Sequence, residues 1–430
     1  MSTASAQVTQ SMSLSMAVEP QGELSTGDQG LYVEHTDSPD GEQPVVASWV
    51  VRADKPVRYE VRVCHGLLDP TRADLAEAGG RTHAGRRRLV VIDSAVDTFY
   101  GDRIREYFSW HDVECTYHVV PAHEPVKNLE TAAGIIRAMD GFRISRRREP
   151  VIAIGGGVLL DIVGLVCSLY RRGTPFVRVP TTLIGIVDAG VGVKTGVNFN
   201  GAKNRLGTYF PADLTLLDRT FLATLNKRHI SNGLAEILKM ALIRDADLFD
   251  LLEATGADLL AEKFQGLSGA SDRSAARVLH MAIHGMLREL QPNLWEQTLE
   301  RSVDYGHTFS PTIEMRAMPE LLHGEAVCLD MAFTTVLAAH RGLVSAEQQR
   351  RILALMANLD LPIWHPLLTV GVLIEALDDT TRHRDGHQRF PLPIGIGDVT
   401  FVDDVTVAEI DRAATELARL AAATERSASS

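Results

Sequence analysis

The chain contains no run approaching the roughly 18–20 uninterrupted apolar residues of a membrane span, and its N-terminus has neither the basic nor the apolar region of a secretory signal. Cysteine is scarce: Cys64, Cys115, Cys167 and Cys328 lie far apart and form no CxxC pair. They read as buried free thiols in a reducing cytoplasm. An excess of cations is also missing. Lys and Arg number 43 against 55 Asp and Glu, a formal charge of −12. That balance argues against a nucleic-acid partner, because few cations are available to displace counterions, and any anion must be met by a local cluster. Residues 1–43 have few large apolar groups, so they cannot bury enough surface to offset chain entropy and are expected to form a disordered leader.

What remains is ordinary for a soluble protein, with 45% hydrophobic and 23% charged residues over 430 positions, enough for two domains. Order is expected to begin at Val45-Val-Ala-Ser-Trp-Val-Val51, and the near alternation from Val57 to Leu67 predicts its hairpin partner. Short Val/Ile runs then alternate with helical spacing: a strand at Arg88–Asp93, helix, strand at Cys115–Val120, helix at Lys127–Met139. This pattern implies parallel βαβ units in an open sheet, with ligands at the carboxyl ends of the strands. Asp213–Asp218 reads as the last strand of that half, and from Thr220 the pattern turns helical. The predicted architecture is α/β plus α: a Rossmann-like α/β domain over residues 44–219 and a mostly helical domain over residues 220–430.

The organising stretch runs from Pro150 to Thr208. Val151-Ile-Ala-Ile154 enters Gly155-Gly-Gly157 and then an apolar helix, which is how a chain presents backbone N–H groups to a phosphate. Pro180-Thr181-Thr182, Asp188 to Lys194 and Gly201-Ala-Lys203-Asn204 follow, suggesting one anionic site visited repeatedly. Asp93, at a strand end, is placed either to bond a ribose hydroxyl or to form a turn. In the helical half, Glu236, His307 and His323 offer two imidazoles and a carboxylate, a set that suits a divalent metal such as zinc with a position left open. Their long-range spacing does not show whether they converge. Glu236 and Lys239, three apart on one helix face, also read as an ordinary surface ion pair.

These residues resemble a known family, the dehydroquinate synthase-like sugar phosphate cyclases, from about Trp49 to Asp403. The resemblance rests on Gly155-Gly-Gly-Val158 with Asp161, Tyr170-Arg-Arg-Gly173, Pro180-Thr-Thr182, Asp188 to Lys194, Lys203-Asn204, Leu234-Ala-Glu236, Gly306-His-Thr308 and His323-Gly-Glu325. It implies an N-terminal NAD-binding α/β domain, a helical metal domain using zinc or cobalt, and a homodimer. Carried over by position, Asp93, Glu124, Lys127, Gly157, Val158, Leu159, Leu160, Asp161, Thr181, Thr182, Lys194, Lys203, Phe221, Leu222, Ala223 and Thr224 would line NAD. Glu236, His307 and His323 would hold the metal. Asp188, Lys194, Asn204 and Lys239 would meet the substrate, and Arg172 would bind its phosphate, reaching across a dimer interface.

The departures narrow the expectation. Dehydroquinate synthases carry Asn where this chain has Asp304, a second His where it has Pro311, and carboxylate-binding Lys and Arg in a segment that here runs from Met286 to Glu296. Losing those cations argues against a carboxylated substrate, since a buried unpaired carboxylate is costly. Glu289-Leu-Gln-Pro-Asn-Leu-Trp-Glu296, Asp304 and Arg382-His383-Arg384 resemble the 2-epi-5-epi-valiolone synthase branch, which cyclises sedoheptulose 7-phosphate, a phosphorylated seven-carbon sugar. Asp304 and His383 are then expected to bind the extra hydroxyls. The alternatives are cyclases of other outcome (2-epi-valiolone, demethyl-4-deoxygadusol or dehydroquinate), a metal-dependent polyol dehydrogenase, and an inactive NAD-binding paralogue.

Overall fold

The computed structural model of the chain describes residues 30–35, 47–78 and 86–428. Two units, Met1–Arg58 and Tyr59–Ser430, are taken separately. In the first, β1 (Gly30–His35) pairs antiparallel with β2 (Ala47–Arg52), setting Leu31 opposite Val51 and Val33 opposite Trp49. Gly30–His35 fall within the leader for which disorder is expected, so that expectation fails there; the rest of residues 1–43 lies outside the described residues. The hairpin expected between 45–51 and 57–67 does not form either. β1 takes the place beside β2, and Glu60–Cys64 (β3) joins the large sheet of the second unit. Alternation at 57–67 signals a strand and leaves its partner undetermined.

In the second unit the chain runs β3, β4 (Arg87–Asp93), α1 (Ser94–Trp110), β5 (Glu114–Val120), α2 (Leu129–Phe142), β6 (Val151–Gly155), α3 (Gly157–Leu169) and β7 (Phe176–Pro180). An antiparallel hairpin follows, β8 (Lys194–Phe199) with β9 (Ala202–Tyr209), and then β10 (Leu214–Asp218). Six strands form one parallel sheet in the order β3-β10-β7-β6-β4-β5. Its two faces are buried by different helices. Val90, Ile92, Ile152 and Ile154 pack with Val96, Tyr100 and Ile104 of α1, whereas Leu89, Val91, Val151 and Ala153 pack with residues of α2 and α3. The continuous apolar runs of β4 and β6 follow from this two-sided burial. Helices therefore leave β4 and β6 to opposite faces, which opens a crevice at their carboxyl ends.

Beyond β10 the chain is helical: α4 (Lys227–Arg244), α5 (Ala246–Ala261), α6 (Gly269–Leu290), α7 (Ser310–Ala317), α8 (His323–His340), α9 (Ala346–Asn358), α10 (Val370–His383) and α11 (Val407–Ala428). A short hairpin, β11 (Phe390–Pro393) with β12 (Val399–Val402), interrupts the series. Almost all of α8 is buried, consistent with its being apolar on every side. One core joins Leu183, Ile186 and Val187 below the sheet to α4, α6 and α8, so the first helical elements pack directly on the segment following β7. Gly233 of α4 permits this close approach, because a Cβ there would stand 2.5 Å from Leu183 Cβ and 2.7 Å from the Ile184 nitrogen.

Candidate active site

At the crevice, β6 ends at Gly155 and α3 begins at Gly157 with Gly156 as its cap, and no side chain caps the helix. Its first N–H groups are thus left for an outside acceptor, the arrangement that suits a phosphate. Side chains would crowd the turn: a Cβ at Gly155 would stand 2.6 Å from Leu159 Cδ2, one at Gly156 3.1 Å from Thr182 Cγ2, and one at Gly157 3.2 Å from Ala189 Cβ. The residues present therefore fit a dinucleotide across this crevice. Asp93 caps α1 through Ala95 N–H at 3.0 Å, so its turn-forming role is realised; burial raises its carboxyl pKa. Leu159, Leu160, Phe221 and Leu222 are core residues, which leaves only their backbone for a ligand. Thr181 is buried, Val158 is half-buried, and Thr182 Oγ1 accepts the Gly185 N–H at 3.1 Å. Ala223 and Thr224 finish the short turn after β10.

Lys127 is buried and binds both Asp161 Oδ2 and Asn204 Oδ1 at 2.6 Å. It ties α3 to β9, and it occupies the side-chain oxygen of Asn204, a residue that the resemblance assigns to substrate. Glu124 accepts from Asn198 Nδ2 at 2.7 Å, a second tie to the same hairpin.

Glu236 (α4), His307 and His323 (first residue of α8) converge, with one ligand atom from each lying within 4.8 Å of the others. His323 Nε2 is 3.3 Å and His307 Nε2 3.8 Å from Glu236 Oε1. Both rings are aimed by their other nitrogen. His307 Nδ1 lies 3.2 Å from the Tyr305 carbonyl, and His323 Nδ1 2.8 Å from Glu314 Oε2. Neither carboxylate oxygen of the buried Glu236 has a hydrogen bond, although Oε2 is 2.6 Å from Lys239 Nζ. Two aimed imidazoles around an orphaned carboxylate fit a divalent ion, with room for a further ligand. The Glu236–Lys239 pair is no surface pair, since both residues are buried.

The electrostatics agree. Burial, with Lys239 nearby, pushes the His307 pKa down to about 3, keeping it a neutral ligand. Burial alone would raise the Glu236 carboxyl, yet Lys239 and the two imidazoles hold it well below its usual range. Burial and Lys203 oppose charge on His323, but Glu314 and Glu236 raise it to about 9; a bound metal would displace that proton.

Asp188 closes the group from a single π turn at Gly185–Ala189; its carboxyl is raised by burial and then by Glu236. Lys194, at the start of β8, points into the cleft with 57% of its side chain open. Desolvation there and the Arg301 charge lower its pKa to about 8. It pairs with Glu296, which also pairs with Arg301 and accepts from Tyr209 at 2.9 Å. Asp304 is held by two arginines: Arg301 Nε and Nη2 reach its Oδ2 at 3.0 and 2.8 Å, and Arg384 at 3.1 Å. His383 ends α10, and its side chain lies outside the described residues. Arg172 is exposed beyond the far end of α3, about 20 Å from the glycine turn by helix rise, so this chain does not bring it to its own site. Lys203, assigned to NAD by resemblance, binds Glu314 and stands 3.1 Å from His323 Nδ1.

Glu314 and Arg301 have no place in the sequence reading, and Glu296 and Arg384 enter it only within motifs, with no role of their own. Glu314 sits in the middle of α7, seven residues after His307, where nothing local distinguishes it from an ordinary helical acid. The ion cluster around Asp304 left no local signal either, because Arg384 is 80 residues away in sequence.

A family model described as 3-dehydroquinate synthase N-terminal matches residues 117–232, and another described as 3-dehydroquinate synthase C-terminal matches residues 233–382. The chain belongs to the dehydroquinate synthase family. Within that family it is 66% identical to a 2-epi-5-epi-valiolone synthase of Streptomyces albus, over 85% of this chain and 90% of that one. It is 64% identical to a protein of the same name from an Actinoplanes species, over 87% and 94%. A solved 2-epi-5-epi-valiolone synthase from Streptomyces hygroscopicus subsp. jinggangensis, with NAD+ and Zn2+ bound, superposes with a TM-score of 0.81 at 54% identity, covering 86% of this chain and 99% of that chain. The dehydroquinate synthase-like fold thus carries both halves of the site described above. No helix among the described residues is long and apolar enough to cross a membrane.

Proposed function

We propose that this protein is a sugar phosphate cyclase that converts sedoheptulose 7-phosphate to 2-epi-5-epi-valiolone with release of phosphate. The observation that carries the reading is the 66% identity to a synthase of that name, spanning cofactor and metal halves alike. The reaction is redox-neutral overall: oxidation and re-reduction of one carbinol bracket the loss of phosphate, and ring opening with an intramolecular aldol addition closes the carbocycle. When bound, NAD supplies a reversible hydride acceptor and the divalent ion polarises oxygens at the reacting carbon.

This chain's own residues do the rest. Glu236, His307 and His323 hold the ion, and Lys239 steadies the ligand carboxylate at 2.6 Å. With its pKa near 8, Lys194 is mostly protonated at neutral pH and able to give or take a proton at the substrate. Asp188 faces the same space. Its raised pKa suits it to hydrogen-bond a sugar hydroxyl. Glu296 and Asp304 already compensate Arg301 and Arg384, which favours a hydroxymethyl over a carboxylate at the substrate's end. The proposal includes a cytoplasmic homodimer in which exposed Arg172 meets phosphate in the partner's site.

The test is incubation with sedoheptulose 7-phosphate, NAD and zinc or cobalt, following phosphate release and identifying the carbocycle by NMR. Turnover of the carboxylated dehydroquinate precursor instead, or accumulation of NADH, would overturn the reading.

A further inference from the structure

Between Asp188 and Lys194 the chain turns its carbonyls inward, onto the sheet. Arg178 of β7 is completely buried, and among the described residues it makes no ion pair with a carboxylate. Its Nη1 donates to the Ala189 carbonyl at 3.1 Å and the Gly192 carbonyl at 2.6 Å, and its Nη2 to the Lys194 carbonyl at 3.3 Å. The intervening carbonyls are taken by other groups. Thr215 Oγ1 donates to Gly190 at 2.9 Å, Tyr59 Oη to Val191 at 3.3 Å, and the Phe210 N–H to Val193 at 2.7 Å. Every carbonyl from 189 to 194 therefore has a donor from β7, β10 or the chain beside them. Thr215 lies opposite Arg178 in the β10–β7 register, so two neighbouring strands supply four of these six bonds.

A buried guanidinium without a carboxylate is costly, and replacement by an apolar residue would avoid that cost. Converging carbonyl dipoles are its hydrogen-bonded compensation, with the Phe176 ring 5.2 Å from its Cζ and the charge of Asp161 acting at longer range, while its Nε has no hydrogen bond. Room for it is kept by Gly164 of α3, where a Cβ would come within 3.3 Å of Arg178 Nη2 and 2.3 Å of Thr195 Cγ2. The result is a loop whose two ends, Asp188 and Lys194, project into the active site while its backbone is fixed from beneath.

We infer that Arg178 is a positioning residue for the cyclase reaction: its guanidinium fixes the 189–194 backbone and thereby the placement of Asp188 and Lys194. This rests on the reading of Asp188 and Lys194 as substrate-facing groups. Arg178 touches neither the glycine turn's N–H groups nor the metal triad, so NAD and metal binding are expected to survive its loss. A planar guanidinium spans three carbonyls, whereas a Lys ammonium offers a single point of contact. Displacing reacting groups by about 1 Å costs on the order of 100-fold in rate.

The experiment compares wild type with Arg178→Lys and Thr215→Val, the second being a milder change that removes only the Gly190 bond. Zinc content, NAD binding, melting and hydrogen exchange of the 190–194 amides are measured on each holoenzyme, alongside kcat and KM for sedoheptulose 7-phosphate. The expected result is faster exchange confined to 190–194 in both variants. With it, kcat should fall about 100-fold in Arg178→Lys and less in Thr215→Val, while zinc content and NAD binding stay unchanged. Unaltered exchange at 190–194, or a loss of zinc, NAD binding and melting together with the rate, overturns the assignment. The exchange measurement needs no substrate, so it decides the inference even if wild type proves inactive on this sugar.

Discussion

Replacing Glu314 by Gln should weaken metal binding about 10- to 100-fold, or about 1.4–2.7 kcal/mol. The magnitude follows from what Glu314 touches. One oxygen lies 2.8 Å from His323 Nδ1 and the other binds Lys203, and the residue is 5% exposed. As a carboxylate it accepts from both donors and holds the His323 ring so that Nε2 faces Glu236. An isosteric amide has one acceptor oxygen for the two donors and turns N–H groups toward one of them. Lys203 also loses its anion while remaining 14% exposed, so some stability goes as well, up to about 3 kcal/mol for breaking a largely buried pair. Zinc affinity measured against a competing chelator, with NAD present, checks the first effect, and urea unfolding of the metal-free protein checks the second. Glu314→Asp, which keeps the charge but shortens the reach, should fall between the two. Unchanged zinc affinity in Glu314→Gln, with stability alone reduced, would refute the view that Glu314 orients a ligand.

Three further outcomes are expected. Asp304→Asn removes the anion shared by Arg301 and Arg384 and should destabilise the fold by about 3 kcal/mol in urea unfolding, with no loss of zinc affinity. Gly233→Ala forces α4 away from Leu183 and should cost about 1–3 kcal/mol with weaker zinc binding, since Glu236 lies one turn further along. Asp330 is fully buried and accepts the Phe309 and Ser310 N–H groups, yet burial raises its pKa to about 6. The folded state therefore holds its proton more tightly than the unfolded chain, and stability should fall as pH rises from about 4 to about 6. The loss is about 3 kcal/mol at 1.36 kcal/mol per unit, and Asp330→Asn should flatten that part of the urea-measured profile.

The parallel sheet was legible because its strands are buried on both faces and read as unbroken Val/Ile runs, as at Val151–Gly155. The glycine turn was legible for the same local reason: three glycines between a strand and a helix leave few other conformational uses. Local reasoning fails where a residue's partner is distant. Glu60–Cys64 carries a strand pattern, but whether it pairs with a neighbouring segment or with Leu214–Asp218 depends on contacts across 150 residues. The hairpin β8–β9 was hidden because Lys194–Tyr209 is rich in Gly and polar groups, and its register is set by packing on α3. The residue types of the metal triad could be named from the sequence, but their convergence was legible only through resemblance, since no spacing shows that positions 236, 307 and 323 meet. Asp304 is assigned to substrate hydroxyls on the same basis, and no local pattern announces the two arginines that its carboxylate also holds.

That pairing bears on how an acidic chain can discriminate between similar sugar phosphates. The cleft does contain cations, Lys194, Arg301 and Arg384, but Glu296 and Asp304 stand among them. A substrate carboxylate entering there would have to displace an existing anion, and the displaced acid would be left buried and unpaired. A hydroxymethyl group asks for no such exchange, because it can add hydrogen bonds to ions that remain paired. The fold thus need not lose its arginines to reject a carboxylate. Supplying each with an internal anion is sufficient, and Glu296 and Asp304 lie within nine residues of one another, where one loop can carry the whole change.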